Sequence, residues 1–158
     1  MVNQEISKNL GDRPKVGTGI WIINDKHQAL LFLWQGSHGA ATWCPPGGHL
    51  EFKESFLENA IRETKEETDL DVKSVDVLAV TNDIFEAEEK HYVTIVMKAR
   101  EWSGEAKIME PNKCSEMKWF DLSALPSPLF VSNNNFFALN PPCLCGSGKK
   151  WLDCHGQK

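Results

Sequence analysis

The stretch that decides the fold is PPGGHLEFKESFLENAIRETKEETDL, residues 45–70, which carries seven acidic residues. Its first four residues combine proline with glycine and predict a stiff, irregular turn. Ser55 followed three residues later by Glu58 is a capping box, in which each residue satisfies a free backbone group at the start of a helix. The stretch therefore predicts a rigid loop that leads directly into a helix rich in like charge.

The predicted helix has one face suited to the core and one acidic face. We expect the core face to comprise Phe56, Leu57, Ala60, Ile61 and Thr64, which recur at helical spacing. Glu63 and Glu67 are four residues apart with Glu66 between them, so their carboxylates meet on one part of the helix surface. A solvated face with Arg62 and Lys65 as ion-pair partners is the plain alternative. The adjacent glycine turn favours a Mg²⁺ or Mn²⁺ site instead, because its backbone carbonyls can complete an oxygen cage.

The spacing within this stretch resembles the Nudix box of the Nudix hydrolases. Gly48, five residues, Glu54 and seven further residues lead to the run RETKEETDL, residues 62–70. All four acidic positions of the box, its Arg and its first Gly are present, and the resemblance extends over about residues 16–137. Asp69 stands where the box has Gly, and we expect an intact turn there because Asp tolerates the left-handed conformation better than most residues.

The resemblance implies an α/β fold, a Nudix α/β/α sandwich around a mixed β-sheet, that hydrolyses a nucleoside diphosphate linked to another moiety. It implies that Mg²⁺ (or Mn²⁺) is held by Gly47 through its carbonyl and by Glu63, Glu66 and Glu67. The catalytic residues that it implies are Glu54, Arg62, Glu66, Glu67 and Glu116, the last preceding the final core strand. Arg62 would pair with Glu54 and fix the loop against the helix.

Further stretches narrow the resemblance to one subgroup. They are PPGGHLEF, VTNDIF at 80–85, HYVTI at 91–95, and MEPNKC at 109–114 followed by WFDLSALP. These resemble MutT-type nucleoside triphosphate diphosphatases, which imply cleavage of a nucleoside triphosphate, including an oxidised purine, to monophosphate and pyrophosphate. Dihydroneopterin triphosphate and ADP-ribose remain alternative substrates, and a ligand sensor without catalysis is a further alternative. Substrate-binding candidates are Gly48 and, as aromatic platforms for a base, Phe130 and Trp119.

The rest of the main domain is predicted to alternate strands with loops. Apolar, β-rich runs predict strands at 16–23, 29–34, 75–85, 91–100 and 117–122, and a second helix is predicted at 129–139. The first two runs flank a polar turn and predict a β-hairpin. One departure from relatives is the absence of basic residues after Leu33, which removes a source of phosphate contacts.

A change of composition at residue 140 marks a boundary between a Nudix hydrolase domain, 1–139, and a zinc-binding tail, 140–158. The tail contains a Cys-x-Cys pair, then eight residues, then Cys-His, which makes Cys143, Cys145, Cys154 and His155 a complete tetrahedral set for structural Zn²⁺. This pattern resembles the SEC-C zinc motif at the C-terminus of the SecA translocation ATPase. A disulfide or a reduced, unstructured tail is the alternative.

The tail is also the predicted contact point for a protein partner. Lys149, Lys150 and Trp151 are expected to be exposed and to form a docking surface for another macromolecule. In the sensor alternative, this zinc tail recruits the partner.

The composition excludes several classes of function. The chain has 158 residues and a formal net charge of -5, so it lacks the basic surface that binds nucleic acid polymers or anionic membranes. No apolar run approaches the roughly 20 residues that span a bilayer, and the polar start lacks the apolar segment of a signal peptide. We therefore expect a cytoplasmic protein that acts on a small nucleotide, and the resemblance implies a homodimer.

Overall fold

The computed structural model describes residues 13–157, so most of the polar N-terminal stretch discussed above lies outside the described residues. The strands are β1 (Lys15–Trp21), β2 (Gln28–Trp34), β3 (Thr42–Cys44), β4 (Asp71–Phe85), β5 (Lys90–Ser103) and β6 (Cys114–Asp121). The helices are α1 (Phe56–Thr68) and α2 (Val131–Ala138), and short 3-10 turns cover Leu122–Ala124 and Trp151–Asp153. The predicted elements are thus present, and β4 and β5 are longer than their apolar runs indicated.

The strands form two three-stranded sheets. The first is mixed and has the order β1-β5-β4, with β1 parallel to β5 and β4 antiparallel to it. The second is antiparallel and has the order β3-β2-β6. The predicted mixed α/β architecture is confirmed.

Alternation along the strands separates two hydrophobic layers. The α1-side cluster contains Ile20, Ile22, Leu30, Met97 and Ala60 of the helix, whereas the α2-side cluster contains Trp21, Ala29, Leu31, Val96 and Phe136. Neighbouring residues of one strand therefore fall in different clusters, because successive side chains point to opposite faces of a sheet. Each helix covers one face, which produces the α/β/α sandwich.

The predicted hairpin is only partly correct. The turn closes as expected, since the Asn24 amide donates to the Gln28 carbonyl at 3.0 Å and the Leu30 amide to the Ile22 carbonyl at 3.0 Å. Beyond the turn, however, β1 pairs with β5 while β2 pairs with β3 and β6. The two strands diverge because each has a longer partner elsewhere, so the turn joins two sheets instead of two strands of one sheet.

The apolar face predicted for α1 is wrong at three of its five positions. Ala60 and Thr64 are buried, but Phe56, Leu57 and Ile61 remain 39–40% exposed. The buried face is instead largely polar and includes Asn59 and Thr68. The capping box forms as predicted between Ser55 and Glu58, and the helix ends at Asp69 in the left-handed conformation with φ 60°.

Residues 140–157 pack against the main domain. Cys143, Leu144 and Trp151 belong to the α2-side cluster, and the Trp151 ring lies 4.4 Å from the ring of Phe137. Trp151 is only 7% exposed, so the expectation that it forms part of an exposed docking surface is wrong. The physical reason is its large apolar area, which gains more from burial against α2 than from exposure to water. In the described part of the chain, no helix combines the length and apolarity needed to cross a membrane.

Candidate active site

A cleft of about 530 Å³ runs between the glycine turn, α1 and a group of aromatic rings. Its volume lies within the range of sites that bind small molecules and cofactors. One end is lined by Gly47, Gly48 and the carboxylates of α1, and the other by His38, Phe85 and Phe130. The cleft thus joins an acidic end to an aromatic end.

The glycine turn is held by β1 on one side and by α1 on the other. The amides of Thr18 and Ile20 each donate at 2.8 Å to the carbonyls of Gly48 and Pro46, respectively. Between these two residues, the Gly47 amide donates to Glu67 Oε2 at 2.9 Å. The carbonyls of Pro46 and Gly48 thus bond to β1 while the amide of Gly47 bonds to α1, so the turn places Gly47 beside the carboxylates of the helix. The role of its carbonyl as a metal ligand stays a prediction.

The two glycines of the turn lie very close to their neighbours. A Cβ at Gly47 would lie 2.1 Å from the Thr18 carbonyl oxygen, and a Cβ at Gly48 would lie 2.4 Å from the carboxylate of Glu63. Both distances are far below van der Waals contact. Rigid backbone therefore excludes a side chain at Gly47, whereas a side chain at Gly48 would displace the Glu63 carboxylate.

Arg62 connects the loop to the helix, as predicted. Its Nε donates to Glu54 Oε1 at 2.7 Å, its Nη1 to Glu63 Oε1 at 2.8 Å, and its Nη2 to the carbonyl of His49 at 3.2 Å. The bond from Arg62 lowers the pKa of Glu54 to about 2. Arg62 therefore fixes the loop and neutralises part of the acidic cluster.

Asn59 is a residue of the site that sequence reasoning missed. Its side chain is fully buried, accepts a hydrogen bond from the Thr18 hydroxyl and donates to the His49 carbonyl at 2.9 Å. It also donates to Glu54 Oε2 at 3.1 Å. The sequence did contain one indication of this role. Asn59 precedes Ala60 on the helix, and a polar carboxamide next to a core position can face inward. Asn59 joins β1, the loop and α1, so it supports Glu54 and Arg62 from behind.

Burial raises the pKa values of two carboxyl groups of α1, those of Glu63 and Glu67. Desolvation by burial raises the pKa of Glu67 to about 8. The hydrogen bond from the Gly47 amide opposes this increase, and the negative charges of Glu63 and Glu110 add to it. Desolvation also raises the pKa of Glu63, although Arg62 opposes the shift. Carboxylates with raised pKa values in a cleft mark a site that gains from a cation.

The third carboxylate of the predicted set points differently. The Glu66 side chain is 54% exposed and lies 3.4 Å from Arg62 Nη1. Among the described residues, the carboxylates of α1 do not form a set whose ligand oxygens all converge within 4.8 Å. The expected convergence is therefore incomplete, because like charges repel and Arg62 draws Glu66 to the rim.

The donor set nevertheless fits a hard divalent cation. Glu63 and Glu67 face the cleft beside the Gly47 carbonyl, and oxygen ligands of this kind are what Mg²⁺ and Mn²⁺ prefer. Desolvation is the main cause of the raised pKa of Glu67, and a cation bound beside it would stabilise the ionised carboxylate. The residues therefore fit the metal that the resemblance implies.

The structure brings Glu110 to the acidic cluster and leaves Glu116 outside the cleft lining. Glu116 is exposed on β6 and pairs with Lys118. Glu110 lies in the loop before β6, where it pairs with Lys113 at 2.8 Å, and its charge raises the pKa of Glu67. Lys113, in the same loop, lines the cleft and supplies a basic group there, which the segment after Leu33 does not. Glu110 is carried by a loop, whereas Glu116 lies on β6 where the register with β2 shifts, and its carboxylate is exposed beside Lys118.

The other end of the cleft is a connected group of four rings, those of His38, Phe85, Tyr92 and Phe130. The His38 ring stacks on Tyr92 with centroids 5.1 Å apart at 13°, and meets Phe85 and Phe130 edge-on at 5.0 and 5.9 Å. Desolvation, together with the charge of Lys90, lowers the pKa of His38. Such a group of flat rings suits a planar heterocycle.

Of the two predicted stacking residues, the structure brings only Phe130 to this end. Hydrogen bonds on both sides hold its segment to β3, since the Phe130 amide donates to the Trp43 carbonyl at 3.0 Å and the Trp43 amide to the Pro128 carbonyl at 2.9 Å. Trp119 instead stacks on Trp102 with centroids 5.8 Å apart, packed against the α1-side cluster.

Asn133 is a second missed residue. It lines the cleft near the start of α2 and is 3% exposed, yet its Nδ2 has no hydrogen-bond partner among the described residues. Buried polar groups are normally satisfied, and an unsatisfied one costs about 1–3 kcal/mol. An orphan amide beside aromatic rings is therefore a candidate for contact with the polar edge of a bound heterocycle.

The four predicted zinc ligands meet in one place. The Cys143, Cys145 and Cys154 thiols and the His155 ring have ligand atoms that all lie within 4.8 Å of one another. The Cys145 and Cys154 sulfurs are 3.7 Å apart, close to the roughly 3.8 Å that tetrahedral ligands at a Zn–S distance of about 2.3 Å require. His155 Nδ1 lies 3.2 Å from the sulfurs of both Cys143 and Cys154. The geometry and chemistry of this set are compatible with zinc.

Comparisons with known proteins agree with this geometry. The crystal structure of a MutT NUDIX hydrolase from Burkholderia pseudomallei matches with a TM-score of 0.73 at 31% identity, over 80% of this chain and 96% of that one. A MutT protein from Methanosarcina mazei Go1 matches with a TM-score of 0.65 at 25% identity, over 80% of this chain and 94% of that one.

Curated relatives differ in the activities that their names give. An ADP-ribose pyrophosphatase from Methanocaldococcus jannaschii is 31% identical over 109 residues, which are 69% of this chain and 63% of that protein. An asymmetrical bis(5'-nucleosyl)-tetraphosphatase from Sus scrofa is 44% identical over 48 residues, which are 30% of this chain and 33% of that protein. The match thus spans about a third of the tetraphosphatase.

The family itself is defined by a much longer match. A family model described as the NUDIX domain matches residues 13–139, which include the glycine turn, α1 and the aromatic end of the cleft. Because this match covers most of the chain, the protein belongs to the NUDIX domain family.

Proposed function

We propose that this Nudix hydrolase cleaves a nucleoside triphosphate, including an oxidised purine, to the monophosphate and pyrophosphate, and that it depends on Mg²⁺ or Mn²⁺. The observation that carries the proposal is the cleft itself, which joins buried carboxylates to an aromatic group. A polyphosphate would lie at the acidic end and a base at the aromatic end. Among the described residues, the cleft has one aromatic end, and this favours a substrate with a single base.

At the acidic end, Glu63, Glu67 and the Gly47 carbonyl would hold the metal, and Glu66 would join them by turning away from Arg62. When bound, the metal lowers the pKa of water and offsets the charge that develops on phosphate oxygens. A carboxylate of this cluster would accept a proton from the attacking water, while Glu110 raises the pKa of Glu67 and holds Lys113 beside the cleft at 2.8 Å. Lys113 would contact the anionic substrate from the same loop.

The other chain groups position these ligands. Arg62 and Glu54 keep the loop against α1 through their 2.7 Å bond, and Asn59 fixes Glu54 from the buried side. At the base end, Phe130 and Tyr92 offer ring faces, while Asn133 offers its unpartnered amide to a ring substituent. A rigid frame of this kind lowers the entropic cost of bringing substrate and ligands together.

ADP-ribose is a second candidate substrate. The relative from Methanocaldococcus jannaschii that matches 69% of this chain is named an ADP-ribose pyrophosphatase. A diphosphate with one base would also fill the aromatic end, and its ribose would extend toward the solvent. The two candidates differ in product, because only the triphosphate releases pyrophosphate.

A turnover screen tests the proposal. Purified protein would be incubated with Mg²⁺ and with GTP, ATP, 8-oxo-dGTP, dihydroneopterin triphosphate and ADP-ribose, and products separated by chromatography. We expect pyrophosphate from a triphosphate and a rate at least about 100-fold lower for Glu67→Gln. Glu105→Gln, a change at an exposed loop residue, is the matched control and should keep the full rate. Turnover of none of these compounds, or full activity of Glu67→Gln, would contradict the proposal.

The tail set is assigned separately. Cys143, Cys145, Cys154 and His155 would bind one Zn²⁺ with no coordination position left for water, which is typical of a structural site. Measurement of zinc per chain by mass spectrometry should give about one in the wild type. A His155→Ala variant should fall well below that value.

A further inference from the structure

The C-terminal tail is joined to the helix that forms one wall of the substrate cleft. Leu144, between two of the cysteines, is 1% exposed, and Trp151, three residues before Cys154, is 7% exposed. Both lie in the α2-side cluster with Phe136 of α2, and the Trp151 ring contacts Phe137 at 4.4 Å. The residues that separate the ligands along the chain are therefore the residues that back α2.

Polar contacts tie the same tail to the sheet and to the end of α2. Lys98 Nζ on β5 donates to the Leu144 carbonyl at 2.6 Å. The Leu152 amide donates to Asn140 Oδ1 at 2.9 Å, and the Trp151 amide to the Pro141 carbonyl at 2.8 Å. The tail thus makes specific contacts on two sides and has a defined position on the domain.

The first turn of α2 lines the cleft, on the same side of the helix that buries Phe136 further along. Ser132 and Asn133 line the cleft, and Phe130 immediately before the helix belongs to the aromatic end. Asn135 Nδ2 donates to Asp83 Oδ1 at 2.8 Å, which holds the helix to β4. With eight residues, α2 is too short to be stable alone, so its position depends on what packs against it.

We infer that zinc at the cysteine and histidine set fixes the position of α2 and thereby shapes the base-binding end of the cleft. A tail of this length has no core of its own, so metal binding would supply much of its folding free energy. Loss of the metal would free Leu144 and Trp151, and α2 would lose the apolar surface that backs Phe136 and Phe137. The inference rests on the zinc assignment, not on the identity of the substrate.

The acidic end of the cleft should be insulated from this effect. Ala60 of α1 belongs to the α1-side cluster, on the other face of the strands from Phe136. Glu63 and Glu67 are held by the glycine turn and by Arg62, neither of which contacts the tail. The zinc set should therefore affect recognition of the base more than the chemistry at the phosphates.

Hydrogen exchange measured on the full chain tests this without requiring turnover. Wild-type protein as purified would be compared with protein treated with a zinc chelator and with His155→Ala. We expect at least about tenfold faster exchange in residues 131–138 and 140–157 after zinc loss, with residues 56–68 unchanged. Faster exchange confined to 140–157 would overturn the inference, as would equal acceleration in 56–68 or a zinc content near zero in the wild type.

Kinetics on the best substrate of the screen supply a second readout. Zinc loss should raise KM about tenfold or more while kcat changes less than about threefold, because binding at the base end is weakened and the phosphate end is kept. Lys98→Met gives an independent variant, since it breaks the contact to Leu144 without touching a ligand, and it should shift KM in the same direction but less. A fall in kcat with unchanged KM would contradict the inference. Failure of the screen itself would leave the exchange result to decide.

Discussion

The molecule contains two clusters of candidate metal-ligand residues that are built in opposite ways. At the acidic end of the cleft, Glu66 is 54% exposed, and the carboxylates among the described residues do not converge. At the tail, four ligand atoms lie within 4.8 Å of one another. The first cluster is held open by Arg62 and the glycine turn, which leaves room for a substrate. The open acidic site is thus kept in place by rigid surroundings, whereas the closed set of the tail is held together as part of the hydrophobic core.

The largest expected effect is a loss of activity when the acidic cluster is changed, compared with a loss of stability when the tail cluster is changed. Glu63→Gln should lower kcat/KM at least about 100-fold with little change in melting temperature, because it removes a metal ligand but no core contact. Cys154→Ser should do the reverse, lowering the melting temperature and keeping kcat. Steady-state kinetics and thermal unfolding of both variants measure this. If both variants lost activity and stability together, the division between an open and a closed site would be wrong.

The second effect measures how firmly the tail belongs to the core. Trp151→Ala should destabilise the fold by about 3–5 kcal/mol, as expected for truncation of a buried aromatic residue. Leu152→Ala, at a neighbouring position that is 53% exposed, is the matched control and should stay within about 0.5 kcal/mol. Denaturant unfolding gives both values. Equal and small effects would show that the tail is loosely attached.

A third change tests how tightly the open site is built. Gly48→Ala would place a Cβ 2.4 Å from the Glu63 carboxylate and force that group to move. We expect kcat/KM to fall about 10–100-fold, because displaced ligands hold the metal less well. Gly19→Ala is the control, since its Cβ would meet nothing closer than 3.8 Å. Similar kinetics for the two variants would show that the close approach at Gly48 has no functional role.

The smallest effect concerns the ion pair that supports the open site. The bond from Arg62 lowers the pKa of Glu54 from 4.5 to about 2. A carboxyl group with a lowered pKa stabilises the folded state above its unfolded value and loses that contribution as the pH falls through the folded value. Glu54→Gln should therefore lower the melting temperature at pH 7, and the difference from wild type should shrink between about pH 4.5 and 2. A difference that stays constant to pH 2 would contradict this role.

The acidic helix was predictable because its information is local. The capping box, the Asp69 terminus and the pairing of Arg62 with Glu54 depend on residues within one short stretch, and each forms as expected. The glycine turn was predictable for the same reason, since the close approach of neighbouring backbone at Gly47 excludes a side chain. Local geometry therefore determined half of the candidate site.

The orientation of the other side chains depended on tertiary contacts, which the periodicity of the sequence does not predict. Phe56 and Ile61 were expected in the core, but Asn59 and Glu67 take the inward face because Thr18 and Gly47 supply hydrogen bonds there. Trp119 was expected in the cleft, but β6 turns it toward Trp102. These outcomes depend on which partner each side chain meets across the sheet, and such partners are distant in the sequence.

The position of the tail on the main domain was also not predictable from local sequence. The spacing of its cysteines and histidine predicted that their ligand atoms would meet, and they do. The spacing contained no information on where the set would lie, so Trp151 was expected in solvent and was found buried against Phe137. Ligand identity is local, whereas the docking of the whole segment is a property of the finished core.

The last turn of α1 has one more consequence. The amides of Lys107 and Met109 donate to the carbonyls of Thr68 and Glu67, and Lys107 also pairs with Asp69 at 3.1 Å. The loop that carries Glu110 is thus attached to the C-terminal turn of α1, which also carries Glu67. If that turn frayed, Glu67 and Glu110 would both move, so the geometry of the acidic end depends on a few backbone hydrogen bonds outside the cleft.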